Sequence, residues 1–180
     1  MRLFHLSDLH IGKRVNEFSM IEDQKYILER ILNLAEKEMP DGVILAGDIY
    51  DKQIPSAEAV QVFDEFITKL AERKLPVFVI SGNHDSAERL AFGGRLLNSR
   101  GIYLSPVYDG TVMKIPIADQ YGTVWIHLLP FIRPAAVRRV FEDESDLITD
   151  VQSAVRAVIS HMEIDPNERN ILVAHQFVTG

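Results

Sequence analysis

Cysteine is absent from all 180 residues. That excludes a disulfide framework, a thiolate zinc site and a thiol nucleophile. No apolar run reaches the ~18 residues a membrane helix needs. The opening MRLFHLSDLH is broken by Ser7 and Asp8 before a signal-peptide core can form. An excess of basic charge is lacking as well: 19 Lys and Arg face 26 Asp and Glu, for a net charge of −7. Such a chain does not grip nucleic acid through an overall basic surface. It leaves room for an enzyme whose bound divalent cations supply positive charge where a phosphate sits. There is no repeat, low-complexity tract or linker. What remains is a soluble, cytoplasmic, globular chain of one domain, or one domain and part of another. At this size it can bury roughly 70% of its unfolded surface without staples.

Short apolar runs alternate with helical patterns. Residues 2–6, 42–46, 76–80, 123–129 and 170–174 read as strands, and three are nearly continuous apolar runs suited to burial on both faces. Ile21, Ile27, Leu28, Ile31, Leu34 and Ala35 predict one helix over about 20–37. Ala57, Val60, Phe63, Ile67, Leu70 and Ala71 predict a second over about 56–73, capped by Ser56. A third is expected from Ser86 to Asn98, and a fourth on Leu147, Ile148, Val151, Val155, Val158, Ile159 and Met162. All these stripes are read as core. The segment 101–132 carries closely spaced strand-like pieces with turn signals at Tyr108-Asp109-Gly110 and Gly122, so a β-hairpin or meander is expected there. The order implies an α/β layered domain with largely parallel sheets flanked by helices. No helix follows the last strand-like run, and the expectation is a fold incomplete at its C-terminal end.

The polar residues carry the chemical signal through their positions. The carboxyl ends of strands in an open α/β sheet are where ligands bind. Here they read Ser7-Asp8-Leu9-His10, Gly47-Asp48-Ile49-Tyr50-Asp51, Gly82-Asn83-His84-Asp85 and Ala174-His175-Gln176. Taken singly, each has a plain structural explanation. Asp8 suits a turn, Asp48 a helix cap, Asn83 an Asx-turn, and an isolated histidine is more often solvated or satisfied than a ligand. Together at successive strand ends they predict a dinuclear site for Mn²⁺, Mg²⁺, Fe²⁺ or Zn²⁺. His5, His127 and His161 fall inside strands or a helix and are read as structural or solvated.

The ordered set Asp8-x-His10, Gly47-Asp48-x-x-Asp51, Gly82-Asn83-His84-Asp85 and a strand-end His175 resembles the calcineurin-like metallophosphoesterase superfamily. RLFHLSDLHIGK, GDIYDKQIPSAEAV, ISGNHDSAERLAFGG, LPFIRP and LVAHQFVTG resemble one branch of it, bacterial DNA-repair nuclease subunits. The resemblance implies one metal on Asp8, His10 and Asp48, and another on Asp48, Asn83 and His175, with Asp48 bridging. It implies that His84 protonates the leaving 3′ oxygen or steadies the phosphate, oriented by Asp51. It also implies two Mn²⁺ ions, exonuclease action on duplex DNA and endonuclease action on single-stranded and hairpin DNA. Implied partners are DNA, an SMC-like ATPase and a second nuclease subunit in a homodimer, in a nucleoid-associated setting.

The family carries a later Gly-His-x-His motif that completes both metal spheres, and this sequence has none. Residues 1–180 are therefore expected to be the amino-terminal part of the metallophosphoesterase (nuclease) domain. The C-terminal remainder, a capping domain and an ATPase-binding tail are then absent. Lys13, Arg14, Arg89 and Arg133 are candidates for DNA phosphate contacts, the alternative being an ordinary solvated surface. A phosphomonoesterase or a cyclic-nucleotide phosphodiesterase would use the same metal residues, and a truncated or non-catalytic scaffold is a third reading.

Overall fold

The computed structural model describes residues 1–177. Val178, Thr179 and Gly180, the end of the LVAHQFVTG segment, lie outside the described residues. The first sheet is wholly parallel in the order β1-β4-β5-β6. Its strands are β1 (Leu3–Leu6), β4 (Gly42–Ala46), β5 (Val77–Ile80) and β6 (Ile102–Leu104). A small hairpin of β2 (Arg14–Val15) and β3 (Phe18–Ser19) follows the first loop. The second sheet pairs β7 (Met113–Asp119) antiparallel with β8 (Gly122–Leu128), and β8 parallel with β9 (Arg169–Val173).

Helices α1 (Ile21–Glu38) and α2 (Ala57–Glu72) cover one face of the first sheet, burying Leu28, Leu32, Phe63, Phe66 and Leu70 against Val43, Leu45 and Val79. The opposite face, with Ile44, Phe78 and Ile80, packs on Ile115, Val124, Ile126 and Leu128 of the second sheet. β4 and β5 are therefore covered on both sides, which is why they read as unbroken apolar runs. A third cluster joins α5 (Pro134–Val140) and α6 (Val151–Ser160) to Leu129 and Ala174 at the ends of β8 and β9. Ser56 caps α2 as expected, its hydroxyl accepting the N–H of Ala59 at 3.2 Å.

Several expectations are corrected. The third helix is two single turns, α3 (Ala87–Leu90) and α4 (Gly94–Leu97), because Gly93 takes a left-handed φ of 76° between them. The Ile102 strand belongs to the parallel sheet rather than to a meander, while the hairpin at Gly122 forms as expected. The fourth helix begins only at Val151, after a 3₁₀ turn at 142–147 and the unforeseen α5. Ile27, Leu34, Val60, Leu147, Val151 and Ile159 are exposed rather than core, while Leu32 and Phe66, absent from the expected stripes, are buried. His161 sits at the C-terminal cap of α6 rather than inside it.

Candidate metal centre

Four strand-end loops meet at one edge of the molecule, and the backbone builds the site before any side chain does. The first two loops are laced together by hydrogen bonds. The N–H of Asp8 donates to Gly47 at 3.1 Å, that of His10 to Asp48 at 2.9 Å, and that of Ile11 to Ile49 at 2.9 Å. To make this turn, Asp8, His10 and Asp48 all adopt left-handed backbone conformations, with φ of 57°, 44° and 49°. Each costs on the order of 1–3 kcal/mol and persists only where the surroundings impose it, typically at a functional site. Asp and His tolerate this region better than most residues.

The side chains then converge. Asp48 is 3% exposed, and its Oδ1 accepts the N–H of His84 at 2.9 Å. Its Oδ2 faces Nε2 of His10 at 3.7 Å and Nε2 of His175 at 3.5 Å. Asp8 Oδ1 stands 3.8 Å from the same His10 nitrogen. None of these three approaches is a hydrogen bond, yet each is short enough for one cation to reach both partners. Two triads of donor atoms, His10–Asp48–His84 and Asp8–Asp48–His175, each lie within 4.8 Å of one another and share Asp48.

The orientation of the rings suits ligation. His175 Nδ1 lies 2.7 Å from the Ala46 carbonyl, which can only accept, so Nδ1 carries the proton and Nε2 keeps a lone pair, on the side of Asp48, that a cation can take. His84 Nδ1 lies 3.0 Å from the Asp51 main-chain carbonyl, and by the same logic Nδ1 carries a proton there, leaving Nε2 outside that contact. The His84 and His10 rings meet edge to face at 4.8 Å. The Asp51 carboxylate turns the other way, 3.6 Å from His10 Nδ1, a buried nitrogen with no hydrogen bond of its own. The Ser7 hydroxyl reaches both the Asp8 carboxylate and the Ala46 carbonyl. Carboxylate and imidazole donors without sulfur, two of them fixed by outer hydrogen bonds, fit hard or borderline divalent cations.

Of the residues singled out in the sequence, Asp8, His10, Asp48, Asp51, His84 and His175 are thus brought together. Asn83 is exposed beside His84 and makes no hydrogen bond among the described residues. Its loop borders a cleft of about 320 Å³ lined also by Gln53, Tyr108, Phe131 and Arg133. Arg133 is therefore beside the site. Burial pushes the Tyr108 phenol up to about 12, with Asp109 adding to the shift. Arg14 is directed into its own hairpin, donating to the Glu17 carbonyl. Lys13 and Arg89 are exposed on the β2 approach and on α3. His127 is structural, 2.9 Å from Asn170 Oδ1.

Two supporting residues had no role in the sequence reading: Gln24, which it did not single out, and Asp85, which it quoted only as the last residue of the Gly82-Asn83-His84-Asp85 run. Gln24 on α1 grips the first loop, its Oε1 accepting from Gly12 at 3.0 Å and its Nε2 donating to the carbonyls of Leu9 and His10 at 3.1 and 2.7 Å. Asp85 closes the Gly-Asn-His-Asp run and is 6% exposed. It accepts the N–H groups of Ile49, Tyr50 and Gly82 at 3.0, 2.8 and 2.8 Å. Burial, then the Asp85 and Asp64 carboxylates, raise the neighbouring Tyr50 phenol above its ordinary value. An acid three residues after a strand-end glycine marked the position of Asp85 without its partners, whereas Gln24 carried no signal.

The SbcD subunit of nuclease SbcCD from Staphylococcus epidermidis is 36% identical over 183 aligned positions, covering 100% of this chain and 47% of that protein. Its namesake in Staphylococcus saprophyticus is 34% identical with the same coverage. The chain spans about half the length of these curated relatives. The solved phosphoesterase Yfce from E. coli is 15% identical, covers 71% of this chain and 56% of its own, and superposes with a TM-score of only 0.36. The calcineurin-like phosphoesterase model matches residues 1–179, nearly the full length, and to that family the chain belongs.

Proposed function

We propose that this chain is the amino-terminal part of the nuclease domain of a DNA-cleaving protein that hydrolyses phosphodiester bonds with two divalent metal ions. The observation that carries the reading is the buried Asp48 carboxylate, shared by two donor triads contributed by four separate strand ends. When bound, the ion pair supplies charge neutralisation at the phosphate and activates water near neutral pH. Mn²⁺ is the proposed ion. The residues proposed to hold the pair are Asp8, His10, Asp48, Asn83 and His175. Asp48 holds the two half-sites together. His175 presents Nε2 because Ala46 occupies Nδ1. His84, steadied through Nδ1 by the Asp51 carbonyl, is proposed to give the proton on Nε2 to the leaving oxygen.

The 34–36% identity to the SbcD subunits of nuclease SbcCD supports DNA as the substrate, with exonuclease action on duplex ends and endonuclease action on single strands and hairpins. It likewise supports an SbcC-type SMC-like ATPase and a second nuclease subunit as partners. Arg133 lines the same cleft as Asn83, which supports the proposal that it meets a phosphate next to the scissile one. The full-length protein is assayed with Mn²⁺ on duplex and hairpin DNA and on an aryl phosphate ester. Preferential DNA cleavage, lost in His84→Gln with Mn²⁺ binding retained, is expected. Turnover confined to the small ester would favour a phosphomonoesterase, and full DNA cleavage by His84→Gln would remove the assigned role.

A further inference from the structure

We infer that Asp85 is a positioning residue, whose carboxylate sets the distance between the two halves of the metal centre. The inference rests on the two-metal reading and adds a residue outside the donor set. Among the described residues, Asp85 makes no hydrogen bond to a donor side chain of the triads. Its work is done on backbone. Oδ2 accepts from Ile49 and from Gly82, and Oδ1 accepts from Tyr50. Ile49 and Tyr50 follow Asp48 directly, while Gly82 precedes Asn83 and His84. One buried carboxylate therefore ties the loop that carries the bridging acid to the loop that carries Asn83 and His84.

The tie is reciprocal. The second loop returns the N–H of His84 to Asp48 Oδ1 at 2.9 Å. The approach is so close that only glycine permits it, because a Cβ at Gly82 would collide with both the backbone nitrogen and the carboxylate of Asp48. Hydrogen bonds to an ionised acceptor are roughly twice as strong as neutral ones, and a buried N–H left without its acceptor is costly. The requirement is for a carboxylate in particular. Three N–H groups converge on two oxygens, and an amide offers one oxygen and a pair of donors. Asparagine in either orientation sets its NH₂ group against at least one backbone N–H.

Loosening this clasp acts unequally on the two cations. The loop of Asp8 and His10 is laced to Asp48 by backbone hydrogen bonds that do not involve Asp85. The loop of Asn83 and His84 is not so laced. Asp85→Asn therefore weakens the half-site that takes Asn83 and spares the one on Asp8 and His10.

The test is Mn²⁺ titration of the full-length protein followed by electron paramagnetic resonance, with amide hydrogen exchange at Ile49 and Tyr50. Wild type is expected to bind two ions with an exchange-coupled spectrum. Asp85→Asn is expected to keep its first ion within about threefold and lose at least about tenfold at the second, the scale typical of outer partners of metal ligands. The coupled signal then gives way to that of an isolated ion. A purely structural role would lower both affinities together with the melting temperature, and that outcome overturns the inference. So does wild-type affinity at both positions with exchange accelerated at Ile49 and Tyr50. Should Asp85→Asn not fold, Asp85→Glu decides. It keeps charge and both acceptors but spaces the loops by one more methylene, so selective loss at the second ion is expected and unchanged affinity refutes the idea. A wild-type protein that binds no pair of ions refutes the two-metal reading itself, and this inference falls with it.

Discussion

The ring of His175 occupies the space that a side chain at Gly47 would fill: a Cβ built there stands 2.5 Å from the imidazole Cγ and Nδ1. Gly47 also has a φ of 87°, so both its backbone and its surroundings demand glycine. Gly47→Ala must displace the imidazole and break its 2.7 Å contact with the Ala46 carbonyl. The left-handed backbone alone costs about 1–2 kcal/mol. Losing an outer partner of a metal-binding histidine costs roughly tenfold or more in affinity. A folded Gly47→Ala protein with lower melting temperature and weakened Mn²⁺ binding is expected by thermal denaturation and calorimetric titration. Unchanged metal affinity would show that His175 is not a ligand.

Asp48 leads to the opposite balance of fold and affinity. Asparagine at this position keeps an oxygen for the His84 N–H and removes a buried negative charge facing two imidazoles. Asp48→Asn should fold. It should lose the stabilisation that a bound ion confers, about 2.7 kcal/mol at one hundred times the dissociation constant. For a chain of this size that corresponds to a rise of roughly 5–10 °C in the wild-type melting temperature on adding Mn²⁺. Melting scans with and without the ion check it. An equal rise in Asp48→Asn would place the ions elsewhere.

What could be read from the sequence divides along physical lines. β4 and β5 announce themselves because burial on both faces leaves no polar residue in either run. The donor set was legible because each donor follows a strand, and parallel strands bring their carboxyl ends to one edge. The helical register was harder to read. Ile27, Leu34 and Val60 fit an apolar stripe by spacing, yet the buried stripe runs through Leu32 and Phe66, which only the neighbouring sheet selects. Gly93 caps the start of α4 with one left-handed residue after α3 has stopped, a break that an apolar period cannot register. Gln24 and Asp85 bind backbone groups, and backbone positions are invisible until the loops are folded.

Leu147 and Ile148 are sequence neighbours that should respond in opposite ways. Leu147 closes the 3₁₀ turn before α6 and is 73% exposed, while Ile148 is 1% exposed against Val137, Ala154 and Val158. Ile148→Ala is expected to cost about 2–5 kcal/mol through lost burial and a residual cavity. Leu147→Ala should stay within roughly 0.5 kcal/mol, as surface changes away from special features do. Urea denaturation of the two variants decides it. Comparable losses would mean that the 142–147 turn packs against the core.

Asp119 makes the acid limb of stability testable. It ends β7, with β8 lying between that strand and Arg169 at the start of β9, and accepts two hydrogen bonds from that guanidinium at 2.7 and 3.1 Å. The Arg169 side chain, then the backbone N–H of Tyr121, hold its carboxyl well below the usual carboxylate range, with the terminal amino group adding to the effect. An acid whose folded value is depressed contributes stability above its unfolded value of about 3.9, and that contribution is lost as pH falls toward the folded value. Asp119→Asn should therefore melt below wild type at pH 7, with a gap that narrows as the pH is taken down through 4. Thermal scans of both proteins at pH 7, 4 and 2.5 measure that gap. A difference that stays constant across the series would assign the loss to packing around the Gly122 turn instead of to the charge on Asp119.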